Sequence, residues 1–139
     1  MALRTNQEPK VIEMSDDNCP FCNVDSSRIV WSVPSRGIII RDAYPVQQGH
    51  LLVIPPKHVA SLRDLGGGER DDLFFLVEKA RHFVMSMLSP DGVNIGINDG
   101  VAAGQTVMHL HVHVIPRWCG DVENPRGGVR NVIPGKGDY

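Results

Sequence analysis

The sequence predicts an α+β domain: an antiparallel sheet of about five strands with one long helix. Three observations lead there. Aliphatic and β-branched residues gather in five short runs, and a single segment repeats its apolar residues at three- and four-residue steps. The residues between the first two runs are those of a hairpin turn. Strands grouped around one helix, rather than alternating with several, indicate α+β and not a parallel βαβ sheet.

Residues 1–17 are polar and aperiodic and read as a flexible arm. Runs 28–33 and 37–42 flank Pro34-Ser35-Arg36-Gly37 and form the expected hairpin. A third strand, 50–54, ends at Pro55-Pro56, because two prolines cannot continue a central ladder. The helix is expected over about 69–89. Leu73, Leu76, Val77, Ala80, Phe83, Val84, Met87 and Leu88 make its apolar stripe. Gly66-Gly67-Gly68 precedes it, and Glu69, Asp71 and Asp72 suit the positive end of its dipole. Ser89-Pro90-Asp91-Gly92 stops it. Residues 93–97 and 107–115 read as the last two strands, joined by a loop from Asn98 to Gly104. The tail, 119–139, is rich in Gly, Pro and charge and reads as irregular. No internal repeat is evident, and 139 residues is the length of one domain, 1–139.

Bulk properties narrow the function. Fourteen basic against sixteen acidic residues leave no basic footprint for a nucleic acid polymer, so a small-molecule partner is expected. The three cysteines are an odd number in a chain too long to need stapling. That favours a reducing, cytoplasmic compartment and a metal or free-thiol role. Residues 1–18 contain no apolar signal-peptide core, and Leu51-Leu52-Val53-Ile54 is far too short to span a membrane, so no membrane partner is expected.

The chemistry concentrates in His109-Leu110-His111-Val112-His113. On a strand these three histidines share one face, neighbours about 6–7 Å apart, while Met108, Leu110, Val112 and Val114 face the core. Three readings compete: a chance cluster on a solvated face, a three-histidine metal site, and catalytic imidazoles. One flat strand rarely brings three histidines to one ion. Histidine titrates near neutrality and can serve as nucleophile, acid and base. Asn98-Asp99-Gly100 and Gly104-Gln105-Thr106, just upstream, offer amide, hydroxyl and backbone N–H donors for phosphate oxygens, which favours the catalytic reading.

At these residues the chain resembles the histidine-triad (HIT) superfamily of nucleotide hydrolases and transferases. The signature, three histidines alternating with apolar residues, is His109-Leu110-His111-Val112-His113-Val114-Ile115. The match extends through Gly104-Gln105-Thr106-Val107 and Gly49-His50-Leu51-Leu52-Val53-Ile54-Pro55, covering roughly residues 19–118. The resemblance implies a HIT-like fold with a further short helix. It implies that His111 attacks the α-phosphorus of a nucleotide to form a nucleotidyl-histidine that water hydrolyses, a backbone carbonyl fixing the His111 tautomer. His113, His50 and His109 are the accompanying catalytic histidines, with His113 delivering a proton to the leaving group. Asn98, Gln105 and Thr106 match phosphate-side contacts, and Asp42 matches the position that holds the ribose hydroxyls. Superfamily branches that transfer nucleotide to another phosphate tend to carry glutamine at the third triad position, so His113 points to a hydrolase. Dinucleoside polyphosphates and purine nucleoside phosphoramidates both remain open as substrates, as do a nucleotide-binding adaptor and a metal-using hydrolase.

Cys19-Pro20-Phe21-Cys22 has the gap of a zinc knuckle, with a redox pair as rival. A redox pair normally opens a helix, whereas Asn23-Val24-Asp25-Ser26-Ser27 follows here. The resemblance implies a structural zinc completed by His58, of Pro55-Pro56-Lys57-His58, and by His109. Cys119 reads as a plain thiol and His82 as a helix-surface or core-edge residue and not a ligand; Trp118 reads equally as a mouth-of-site aromatic or as packing. The resemblance also implies a two-fold homodimer. Phe74 and Phe75 widen the helix's apolar arc, and 93–97 would form a sheet edge needing a partner or cover.

Overall fold

The computed structural model describes residues 16–139. The expected arm lies outside the described residues as far as position 15. Five strands form one wholly antiparallel sheet: β1 (Ile29–Val33), β2 (Gly37–Arg41), β3 (Leu51–Ile54), β4 (Gly92–Gly96) and β5 (Val112–Arg117). Their order across the sheet is β1-β2-β3-β5-β4. The single α-helix among the described residues, α1 (Gly67–Leu88), packs on one face. The short helical pieces are 3-10 turns, as at Leu62–Asp64 and Val101–Ala103.

The start of α1 is set by Glu69, whose carboxylate accepts the Gly66 N–H at 2.9 Å. Its end is set by Ser89, which adopts the left-handed conformation (φ 48°) before Pro90. The helix buries Leu73, Leu76, Val77, Ala80 and Val84 against Ile39, Leu51, Val53, Val112 and Val114. Met87, placed in the stripe by spacing, is exposed. The opposite sheet face carries a second, smaller cluster: Ile40, Leu52 and Ile54, covered by Phe21 and Val24 of the cysteine-bearing segment. Strand β3 is therefore buried on both faces, which explains its unbroken apolar run.

The triad departs from the expected strand. β5 begins only at Val112, so His109 and His111 lie on the segment leading into it. Leu110 N–H is drawn off the sheet to the Val59 carbonyl, 2.6 Å away, and so leaves the ladder early. Alternation nevertheless persists, with Leu110, Val112 and Val114 fully buried. Met108, expected in the core, is exposed, because the chain has already turned out of the sheet. Strand β4 is a sheet edge, as expected. No helix among the described residues is long and apolar enough to cross a membrane.

Candidate functional site

His113 points from β5 to the face opposite α1, where it meets His50 at the entrance to β3. His50 is placed by Gly49, whose positive φ (84°) is strained for any residue with a side chain and which packs beside the tip of Leu88. The Val46 N–H donates to His50 Nδ1 at 3.2 Å. A ring nitrogen that accepts is unprotonated, so the His50 hydrogen lies on Nε2. Nε2 stands 2.9 Å from His113 Nδ1 and 3.3 Å from an Asp42 carboxylate oxygen. His113 Nδ1 therefore accepts, and its own hydrogen lies on Nε2. Burial lowers the pKa of both rings, holding them in the neutral form. For His113 the neighbouring His111 and His50 add to the lowering, while for both rings Asp42 opposes it.

His111 is buried, and its Nδ1 lies 2.8 Å from the His109 carbonyl. An oxygen that can only accept requires the hydrogen on Nδ1, leaving Nε2 as the lone-pair nitrogen. The His111 and His113 ring centres are 5.1 Å apart, and the Phe21 ring stands edge-on 4.8 Å from His111.

His109 does something different. It is 1% exposed, and its Nε2 donates to the Pro55 carbonyl at 2.9 Å. Its Nδ1 lies 3.6 Å from Cys19 Sγ and 3.5 Å from Cys22 Sγ, and His58 Nδ1 lies 3.2 Å from Cys22 Sγ. The four ligand atoms fall within 4.8 Å of one another. A tetrahedral zinc with Zn–S near 2.3 Å and Zn–N near 2.0–2.1 Å has edges of roughly 3.3–3.8 Å. The cluster fits, and the Pro55 carbonyl is the outer partner that turns a ligand lone pair inward. Burial raises the Cys22 thiol, although the Asp16 N–H donates to its sulfur at 3.3 Å. Both His109 nitrogens thus have partners, Nε2 at the Pro55 carbonyl and Nδ1 beside the two cysteine sulfurs.

The remaining predicted residues divide. Asn98 and His113 line one cavity. Thr106 is exposed and is not among the residues lining that cavity, while Asp42 is tied back by accepting the Tyr44 N–H at 2.8 Å as well as by His50. Gln105 is 4% exposed and spends its amide on the backbone. It accepts the Gly100 N–H at 2.9 Å and donates to the carbonyls of Ala60 and Val107 at 3.0 and 3.2 Å. Ser61 Oγ donates to Asp99 at 2.9 Å, so the Asn98–Gly104 loop is clamped at two points. The sequence carried no signal for the Val46, Pro55 and Val59 backbone partners. Cys119 is exposed and unpaired, and its thiol is raised by Asp91. His82 is exposed on α1, as expected.

Comparison with known proteins places this geometry among relatives. The HIT domain family model matches residues 27–119. Bis(5'-nucleosyl)-tetraphosphatase [asymmetrical] of Schizosaccharomyces pombe is 51% identical over 77 residues, covering 55% of this chain and 42% of that protein. AP-4-A phosphorylase of Mycobacterium tuberculosis is 41% identical over 93 residues, covering 64% and 48%. The chain therefore spans about half the length of these curated relatives. A crystal structure of a Zn-bound histidine triad family protein from Mycobacterium smegmatis superposes with a TM-score of 0.62 at 36% identity, covering 67% of each chain. The fold, the histidine run and the family match agree: this chain belongs to the HIT domain family.

Proposed function

We propose that the protein hydrolyses a dinucleoside polyphosphate at its α-phosphate through a nucleotidyl-His111 intermediate. One observation carries the reading. Backbone carbonyl and N–H partners leave His111 with a bare Nε2 and His113 with an Nε2–H donor, on rings 5.1 Å apart. One nitrogen is a nucleophile and the other a hydrogen-bond donor, as a two-step displacement uses. His111 Nε2 forms a bond to the α-phosphorus as the bond to the bridging oxygen breaks; that oxygen leaves as a phosphate anion, its charge met by the His113 Nε2–H, and the His111 adduct is an imidazolium whose Nδ1–H stays on the His109 carbonyl. Water then adds to phosphorus and loses a proton to solvent, and the nitrogen–phosphorus bond breaks to release nucleoside monophosphate and neutral His111. Asn98, Thr106 and the backbone of the clamped loop would hold the phosphate oxygens, and Asp42 the ribose hydroxyls. Gln105 acts through the loop it clamps.

Cys19, Cys22, His58 and His109 would hold a zinc ion. The ion supplies a structural cross-link between the N-terminal segment and the triad, and a reducing cytoplasm would keep both thiols available to it. The named activities of the relatives support a dinucleoside polyphosphate over a phosphoramidate. They also favour one second reading, with orthophosphate instead of water as the acceptor. Product analysis decides. Hydrolysis of diadenosine tetraphosphate yields AMP and ATP whether or not phosphate is present, whereas phosphorolysis yields ADP and ATP only with phosphate. No turnover of this substrate by the zinc-loaded protein would overturn the proposal.

A further inference from the structure

The loop that fixes the His50 tautomer is itself held from a distance. Residues 43–48, between β2 and β3, bury no apolar side chain; Tyr44 and Val46 are 88% and 72% exposed. Their geometry nevertheless matters. The Val46 N–H meets His50 Nδ1, and the Gln47 carbonyl accepts the His50 N–H at 3.1 Å. Among the described residues, Gln47 supplies the one side-chain hydrogen bond from 43–48 to another part of the chain: its Nε2 donates to Asp121 Oδ2 at 3.1 Å.

Asp121 is a fixed point. Arg117, the last residue of β5, donates from Nε to Oδ2 at 2.7 Å and from Nη2 to Oδ1 at 2.8 Å. The Trp118 N–H adds a bond to Oδ2 at 3.1 Å. Arg117 is held in turn by donating from Nη1 to Asn94 Oδ1 in the middle of β4, at 2.6 Å. Paired bonds between a guanidinium and a carboxylate set orientation as well as distance. The Arg117 guanidinium also keeps the Asp121 carboxyl well below the usual carboxylate range, so it stays an acceptor at neutral pH. The anchor is thus the sheet itself, and Gln47 carries it across to the loop.

We propose that Asp121 is a positioning residue for His113, acting through Gln47 to keep the Val46 N–H on His50 Nδ1 and so both rings in their Nε2–H form. Its bearing on catalysis rests on the function proposed above; the ring geometry does not. One proton links the loop to the reaction. A neutral imidazole carries a single hydrogen, and the hydrogen bonds offered to the ring decide which nitrogen bears it. With the Val46 N–H in place, His50 Nε2 donates to His113 Nδ1, which leaves the His113 hydrogen on Nε2. If the loop swings away, His50 Nδ1 can take the hydrogen and Nε2 then accepts. His113 must in that case turn an Nδ1–H to His50, and its Nε2 becomes a lone pair that repels the departing anionic oxygen. Asp42, 3.3 Å from His50 Nε2, still favours a hydrogen there, so the outcome is a mixture of tautomers and not a full reversal.

The test reads the tautomers directly. Long-range proton–nitrogen correlation spectra of the isotope-labelled, zinc-loaded protein distinguish a ring nitrogen that bears hydrogen from one that does not. Burial keeps both rings neutral for the measurement at mildly alkaline pH. The parent is expected to bear hydrogen on Nε2 of His50 and of His113. Gln47→Met, at a partly exposed position, is expected to shift both rings to a mixture. It should lower kcat for diadenosine tetraphosphate by about tenfold with KM within about threefold, a fraction of the ~10²–10³ that complete loss of such a donor costs. Asp121→Ala should shift the same rings, and adding Gln47→Met to it should shift them no further, since the two residues act in series. Parent-like ring spectra in Gln47→Met overturn the inference whatever the activity, and Gln47→Met decides alone if Asp121→Ala does not fold. A parent with hydrogen on Nδ1 of either ring, or shifts that add in the double variant, overturn it equally. Mixed tautomers with an unchanged kcat uphold the positioning and overturn the part given to His113 in the proposed function.

Discussion

Gln105→Ala separates two roles for one residue. The sequence resemblance makes Gln105 a phosphate contact, whereas the structure commits its amide to Gly100, Ala60 and Val107. Truncation removes three hydrogen bonds and leaves one donor and two acceptors of a buried region without partners. At a net ~0.5–1.5 kcal/mol for each bond, the loss is about 3 kcal/mol. For a chain of this size, about 3–5 °C of Tm accompanies each kcal/mol, so Tm is expected to fall by about 10 °C. Gln105→Glu should be no better, since it keeps the acceptor for Gly100 but turns a carboxylate oxygen toward two carbonyls. Thermal unfolding followed by circular dichroism gives the stability. Steady-state kinetics at a temperature where both proteins are folded gives the chemistry. A clamp predicts a large Tm loss with a kcat/KM decline of about tenfold or less per folded molecule. A Tm within about 2 °C of the parent, joined to a kcat/KM loss of a hundredfold or more, would refute the clamp and restore the phosphate contact.

His111→Asn should lower turnover by several orders of magnitude while nucleotide still binds, as loss of a covalent nucleophile does; turnover within tenfold of the parent would remove the covalent step. Protein purified without chelator should carry one zinc per chain by elemental analysis, lost in Cys19→Ser/Cys22→Ser together with a lower Tm; a metal-free parent of unchanged melting would end the zinc reading. Burial holds the folded pKa values of His50 and His113 below the unfolded value, so the unfolded chain takes up protons first as pH falls. Their contribution should be fully present above about pH 6.5 and be lost progressively below it, and His50→Asn/His113→Asn should flatten the slope of Tm against pH; a variant slope equal to the parent's would exclude these two rings as its source. Phe74 and Phe75 remain 50% and 46% exposed on α1, and β4 is an open edge, so sedimentation at micromolar concentration should give twice the 15.3 kDa chain mass; a species near 15.3 kDa would exclude the dimer.

Much of the architecture was legible because it rests on local periodicity. Apolar steps of three and four between Leu73 and Val84 could bury one face only as a helix, and alternation through Leu110, Val112 and Val114 survived even where the ladder did not. The list of chemically active residues was legible for a similar reason, since a row of histidines and a Cys-x-x-Cys have few bland uses. The resemblance implied that His109 joins the cysteines and that a backbone carbonyl orients His111, but only the tertiary structure shows that this carbonyl is the one of His109 and that His50, at the entrance to β3, orients His113. Those assignments depend on backbone groups of Val46, Pro55 and Val59, which every residue carries and which acquire meaning only when folding brings them within hydrogen-bond reach. The same holds for Gln105 and for the tail. An amide reads alike whether it meets a phosphate or a carbonyl, and a Gly- and Pro-rich segment shows no period from which the anchor at Asp121 could be foreseen. Side-chain chemistry is written along the chain, whereas a tautomer, a clamp and an anchor are relations between distant parts of it.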